Sequence, residues 1–204
     1  MYKKMNIDEI IGRNEFLLRE GINIKKYLNS MQAIVDLKST NYSDFESAWK
    51  FFNSSYECLQ FTYISAICRS YDKKGKCNIY KHLNIVINNA KKITNHYIEI
   101  TDDEFVKFNK ITFKSVKEEL NIFKSELDSL LSKVEEVKKY RDKVIAHNDP
   151  YNVDDTIGKF TYKDLYDLSN FVFKVTNYLK ILLENTNISY ESSIECDLNS
   201  LFER

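Results

Sequence analysis

The chain has 204 residues, enough for one sizeable hydrophobic core and too few for several. Hydrophobic residues make up 43% and charged residues 29%, which excludes a disordered chain, and four glycines with one proline are too few turn-formers for an all-β fold. The formal net charge is zero, so whole-molecule steering towards nucleic acid or an anionic membrane is excluded and only local patches remain.

In chain order, the first helix is predicted over 5–38. Ile10, Leu17, Ile24, Leu28, Met31 and Val35 follow steps of three and four, with Asn14 and Gly21 in the intervening places. A second helix over 43–71 opens with a capping box, Ser43 and Glu46. It continues through Phe45, Trp49, Phe52, Tyr56, Leu59, Tyr63 and Ala66. Residues 72–76 around Gly75 read as a loop, and a short helix over 78–93 carries Ile79, Leu83, Val86, Ala90 and Ile93. The third main helix is expected over 104–148, through Phe113, Val116, Leu120, Phe123, Leu127, Leu130, Val134 and Val137. A loop at 148–158 precedes the fourth, 161–185, with Leu165, Leu168, Val172, Val175, Leu179 and Leu182.

Four stripes with a mean step near ~3.5 residues describe helices packed at shallow angles. Phe51, Phe61, Phe171, Phe173 and Tyr178 flank and widen the stripes, which favours a bundle over a bare coiled coil. The expectation is an all-α, up-and-down four-helix bundle, with the short helix inserted between main helices 2 and 3. Residues 1–186 would form this one domain, and 187–204 a weakly patterned C-terminal tail.

Cys58, Cys68, Cys77 and Cys196 have no zinc-type spacing, and no apolar run approaches the ~18 residues of a membrane span. With no signal peptide expected, reduced thiols in a cytoplasmic protein are the reading. The glycines stand scattered at 12, 21, 75 and 158, so no phosphate-cradling loop is formed. His82, His96 and His147 lack partners at metal-ligand spacing, and neither metal nor cofactor is expected. His82 fits helix packing, His96 a loop after the short helix, and Cys68 the edge of an apolar stripe.

One segment breaks the pattern. Continued past Val137, the third stripe lands on Arg141 and then on Val144. A charge on a packed face needs a partner, a ligand or a wet pocket. His147 follows, ahead of Asn148, Asp149 and Pro150, the chain's one proline. A histidine can take a proton from a ribose 2′-hydroxyl or give one to the leaving oxygen. A guanidinium offers a planar fork to a phosphate gaining charge. Arg141 and His147 are therefore candidates for metal-independent phosphodiester cleavage, and Lys138, Lys139 and Lys143 for contacts with an RNA backbone. On a regular helix the pair would lie about 9 Å apart along the axis and about 120° around it. Either the helix end unwinds, or a second copy completes the site across a two-fold axis. The bland alternative is that Arg141 pairs with a carboxylate and His147 caps a helix C-terminus.

The segment Tyr140-Arg141-Asp142-Lys143-Val144-Ile145-Ala146-His147-Asn148-Asp149 resembles the signature of the HEPN superfamily: an arginine, a polar residue, a short spacer and a histidine. Arg69-Ser70-Tyr71-Asp72, at the end of the second main helix, is a further match. Together they resemble the abortive-infection, AbiU-like branch. That resemblance implies a metal-independent endoribonuclease acting in bacterial phage defence, with an Arg-x5-His site at a homodimer interface. Arg141 and His147 would be catalytic, Asp142 would orient its neighbours, and Tyr140, Asn148, Asp149, Arg69 and Asp72 would support them. RNA would be the substrate, and an antitoxin such as a nucleotidyltransferase the partner of toxin members. The alternative is a catalytically inactive HEPN-like module that binds RNA or protein.

Overall fold

The structure is a computed structural model that describes residues 5–40, 43, 46, 48–101, 111–146, 159–186 and 188, of which 144–146 are described by backbone alone. The described residues are almost entirely helical: α1 (Ile7–Thr40), α2 (Trp49–Ser70), α3 (Ile79–Asn88), α4 (Ala90–Ile100), α5 (Phe113–Ser129), α6 (Leu131–Tyr140), a π-helical turn (Arg141–Ala146) and α7 (Tyr162–Glu184). The fold is all-α, as the stripes predict. No helix among the described residues is long and apolar enough to cross a membrane.

α1, about 51 Å long at 1.5 Å per residue, packs along α7 and α2 and also touches α3. Its stripe is buried as expected from Ile10 through Met31, whereas Val35 is exposed. Gly21 faces α7 so closely that an added Cβ would stand 3.5 Å from the backbone N and Cα of Phe173. Asn14 is wholly buried: its amide donates to the Thr176 carbonyl of α7 at 2.8 Å, and its Oδ1 lies 3.2 Å from Nε2 of His82 on α3. The two gaps in the apolar stripe are thus a close helix approach and a three-helix polar tie.

Two expected helices are each divided, and the residue at each break shows why. The inserted helix is really α3 and α4, separated at Asn89, whose side-chain amide donates to the Ile85 carbonyl at 2.8 Å and competes with the helix backbone. His96 therefore sits on α4 rather than in a loop, donating Nε2–H to the Leu183 carbonyl at 2.9 Å. The third main helix divides into α5 and α6 at Leu130, where the Ser129 hydroxyl bonds back to the Glu126 carbonyl at 2.7 Å. The segment 102–110, expected to carry that helix's start, lies outside the described residues.

Capping boxes Thr112/Ser115 and Thr161/Asp164 open α5 and α7. Asp164 also takes Lys133 of α6 at 2.5 Å, and that contact, with the Thr161 backbone bond, holds its carboxyl down at about 2. Asn185 closes α7 in the left-handed conformation, φ 51°. The expected box at Ser43 and Glu46 lies where most neighbours are outside the described residues, as does the tail beyond residue 188. Trp49, Phe51, Phe61 and Phe113, assigned to packed faces by periodicity, are exposed, Phe51 by 69%. Period alone does not say how far along a helix its neighbours extend.

Candidate functional site

Arg141 stands where α6 gives way to the π-helical turn. In such a turn the backbone bonds span one residue more than in an α-helix, so the register of the stripe shifts from Arg141 onward; π-turns recur at functional sites. The Arg141 guanidinium is about one-third exposed and donates to one carboxylate oxygen of Asp142, from Nε at 2.7 Å and from Nη2 at 2.5 Å. A carboxylate thus holds the arginine that interrupts the stripe, and its fork remains open to solvent on the other side.

The turn packs against the C-terminal end of α2. Cys68 there is buried, and burial pushes its thiol up to about 11, against the opposing pull of Arg141 and Lys138. Partial burial works against the charge on Arg141, but the Asp142 bond, with Cys68 and Asp72 near by, outweighs it and raises the guanidinium pKa. The two sequence motifs, Arg69–Asp72 and Tyr140–Asp142, are therefore neighbours in space.

Arg69 is 58% exposed and reaches across to Glu20 of α1 at 3.3 Å. Asp72 organises the following turn: its Oδ1 accepts the Lys74 N–H at 3.0 Å, and its carbonyl accepts the Gly75 N–H at 2.9 Å. A Cβ at Gly75 would stand 3.1 Å from that carbonyl, so a side chain there would require the turn to give by a few tenths of an ångström. Between α1, the end of α2 and this turn lies a cleft of about 360 Å³, lined by Phe16, Glu20, Arg69, Asp72 and Cys77 among others.

Tyr140 is half-buried, its ring set edge-on to Phe160 at 5.3 Å between centroids, which ties the end of α6 to the residues preceding α7. Lys138 and Lys139 are bound to Glu135 (3.4 Å) and Glu136 (2.7 Å) on their own helix. Lys143 is exposed. His147, Asn148 and Asp149 lie outside the described residues, as do Pro150 and Tyr151. Among the described residues, no three histidine, cysteine, aspartate or glutamate side chains gather as a metal site.

The family model described as AbiU2, of the HEPN superfamily, matches residues 7–195. The chain belongs to the HEPN AbiU2 family. No curated protein and no solved structure matches it significantly. Membership points to an RNase-like or abortive-infection module. For this AbiU2 protein, sequence periodicity marked the arginine but not its surroundings. Glu20 and Phe16 fall on the solvent side of the α1 stripe, where nothing in the sequence separates them from ordinary surface. Cys68 reads as core, which it is; that it underlies Arg141 depends on how α2 meets α6.

Proposed function

We propose that this AbiU2 protein is a metal-independent endoribonuclease, an abortive-infection effector acting in the cytoplasm, with Arg141 and His147 as its reacting pair. The observation that supports this best is Arg141 itself: a guanidinium about one-third exposed, oriented by Asp142 in a π-turn that packs against α2. Such a group binds a phosphodiester and neutralises charge growing on its oxygens. His147 takes the proton of a ribose 2′-hydroxyl, the 2′-oxygen attacks phosphorus, the bond to the 5′-oxygen breaks, and that oxygen takes a proton from solvent water. The products are a 2′,3′-cyclic phosphate and a 5′-hydroxyl. Lys138, Lys139 and Lys143 contribute local attraction for the backbone.

The resemblance to HEPN domains carries a two-fold arrangement, so the reading includes a homodimer in which two copies of Arg141 and His147 share one cleft. Sedimentation at micromolar concentration should give a mass near twice 24.2 kDa, and a monomer would remove the shared cleft. An antitoxin such as a nucleotidyltransferase is the natural partner if the protein is a toxin.

The functional test incubates purified protein with labelled RNA in EDTA, comparing wild type with Arg141→Ala and His147→Ala. Cleavage by wild type alone supports the enzyme. Equal cleavage by all three points to another site, and RNA bound but uncut by all three favours the non-catalytic binding module.

A further inference from the structure

Resting on that reading of the site, we infer that the cleft beside Arg69 and Asp72 holds one unpaired nucleobase of the RNA, and that its edge chemistry selects guanine. The cleft's volume, about 360 Å³, lies at the lower end of the range for small-ligand pockets, right for a single base rather than a duplex. Phe16 lines it while 48% exposed. An aromatic ring left half in water at the wall of a largely apolar cleft with charged groups at its edge is a ready stacking platform, and proteins that hold single-stranded nucleic acid use such rings on the base's π-face.

The polar groups set the edge preference. Asp72 uses Oδ1 for the Lys74 N–H, and a carboxylate has about four lone-pair sites, so Oδ2 is open. Glu20 contributes a second carboxylate, and Oε2 is the atom that receives Arg69. Arg69 spends Nε and one Nη2 hydrogen on Glu20 in long bonds of 3.4 and 3.3 Å, which leaves guanidinium donors free among its five. The cleft therefore presents carboxylate acceptors next to a cationic donor. Guanine is the base whose Watson–Crick edge sets two adjacent donors, N1–H and N2–H, beside an acceptor, O6. Uracil has one donor between two acceptors, and adenine and cytosine place a ring acceptor where the carboxylate would meet it.

Position gives the cleft its role. The turn that carries Arg141 packs against α2, whose last residues Arg69 and Ser70 line the cleft, so a base seated against Asp72 would lie towards the phosphate that Arg141 holds. Phe16, Glu20, Arg69 and Asp72 would act as specificity-determining residues for the same reaction.

The test is fluorescence anisotropy of full-length protein carrying His147→Ala, in EDTA, with labelled decamers of uridine that contain one central guanosine, inosine or no replacement. The guanosine decamer should bind about tenfold tighter than all-uridine, a stacking and edge contribution of the usual size, and inosine, lacking N2–H, should fall between. Asp72→Asn keeps the Lys74 contact and should bring the guanosine and all-uridine decamers to the same affinity. Phe16→Ala should weaken the guanosine decamer several-fold and Phe16→Tyr should restore it, with melting temperatures confirming folding. If the decamers bind alike, or the preference survives both Asp72→Asn and Phe16→Ala, the cleft is no base site, although the RNA reading stands. If no decamer binds, both fail.

Discussion

Arg141 gives two donors to one oxygen of its sequence neighbour Asp142, Nε at 2.7 Å and Nη2 at 2.5 Å. A contact between adjacent residues adds little to the fold, because both side chains are partly solvated and such pairs contribute at most about 1 kcal/mol. Its effect is orientation: it fixes the plane of the fork while leaving donors free for a phosphate.

Asp142→Ala should therefore separate rate from binding. With the fork unoriented, single-turnover cleavage should fall by about tenfold or more. RNA affinity should hold or improve, because a negative charge has been removed beside the phosphate site. Equal losses in both would mean that Asp142 contributes to binding rather than to positioning.

Lys139 and Lys143 should differ. Lys139 is engaged by Glu136 at 2.7 Å, and Lys143 is exposed on the turn that carries Arg141. Lys143→Ala should weaken RNA binding more than Lys139→Ala and lower the salt dependence by about one phosphate contact. Anisotropy titrations across a salt series would check the order.

His82 makes stability pH-dependent. It is wholly buried, its Nε2–H is donated to Asn14, and its Nδ1 is buried without a partner. Burial, helped by Arg13, lowers its pKa from 6.5 to about 3. A depressed histidine pKa means the unfolded chain takes up a proton that the native state refuses, so stability is fully present above about 6.5 and is lost as pH falls towards 3. The slope should approach about 1.4 kcal/mol per pH unit in that window. Urea denaturation at pH 7 and pH 4.5 should show it, and His82→Gln should flatten that part of the profile.

The glycines of α1 offer a contrasting pair. Nothing lies within 4 Å of a Cβ added at Gly12, so Gly12→Ala should stabilise by about 0.5–1 kcal/mol through helix propensity alone. At Gly21 an alanine Cβ would meet Phe173 at 3.5 Å, an ordinary contact, and should be tolerated. Gly21→Leu would drive the extra atoms into α7 and should cost about 1–3 kcal/mol. Thermal melts of the three variants would rank them.

The helices were legible because α1, α5, α6 and α7 bury one stripe each, and burial at regular steps is what periodicity records. The breaks were less so. Asn89 and Ser129 are ordinary polar residues in sequence, and only their bonds to preceding carbonyls end a helix there. The Thr161/Asp164 box could have been read, since threonine followed by an acid three residues on is the pattern applied at Ser43. Of the site, the sequence exposed Arg141 because a charge fell on an apolar stripe. It could not expose the cleft, whose walls come from α1, α2 and the turn at Gly75, brought together by packing alone.

The end group of the cleaved RNA tests the central claim most directly. Internal attack by a 2′-hydroxyl, assisted by Arg141 and His147, must leave a 2′,3′-cyclic phosphate upstream and a 5′-hydroxyl downstream, whereas an activated water opens the chain without a ring. Purified protein incubated with RNA in EDTA should yield fragments that mass spectrometry identifies as cyclic phosphates, and Arg141→Ala should suppress them. Fragments that end in a 3′-hydroxyl and a 5′-phosphate, or cyclic ends formed equally by Arg141→Ala, would contradict the account.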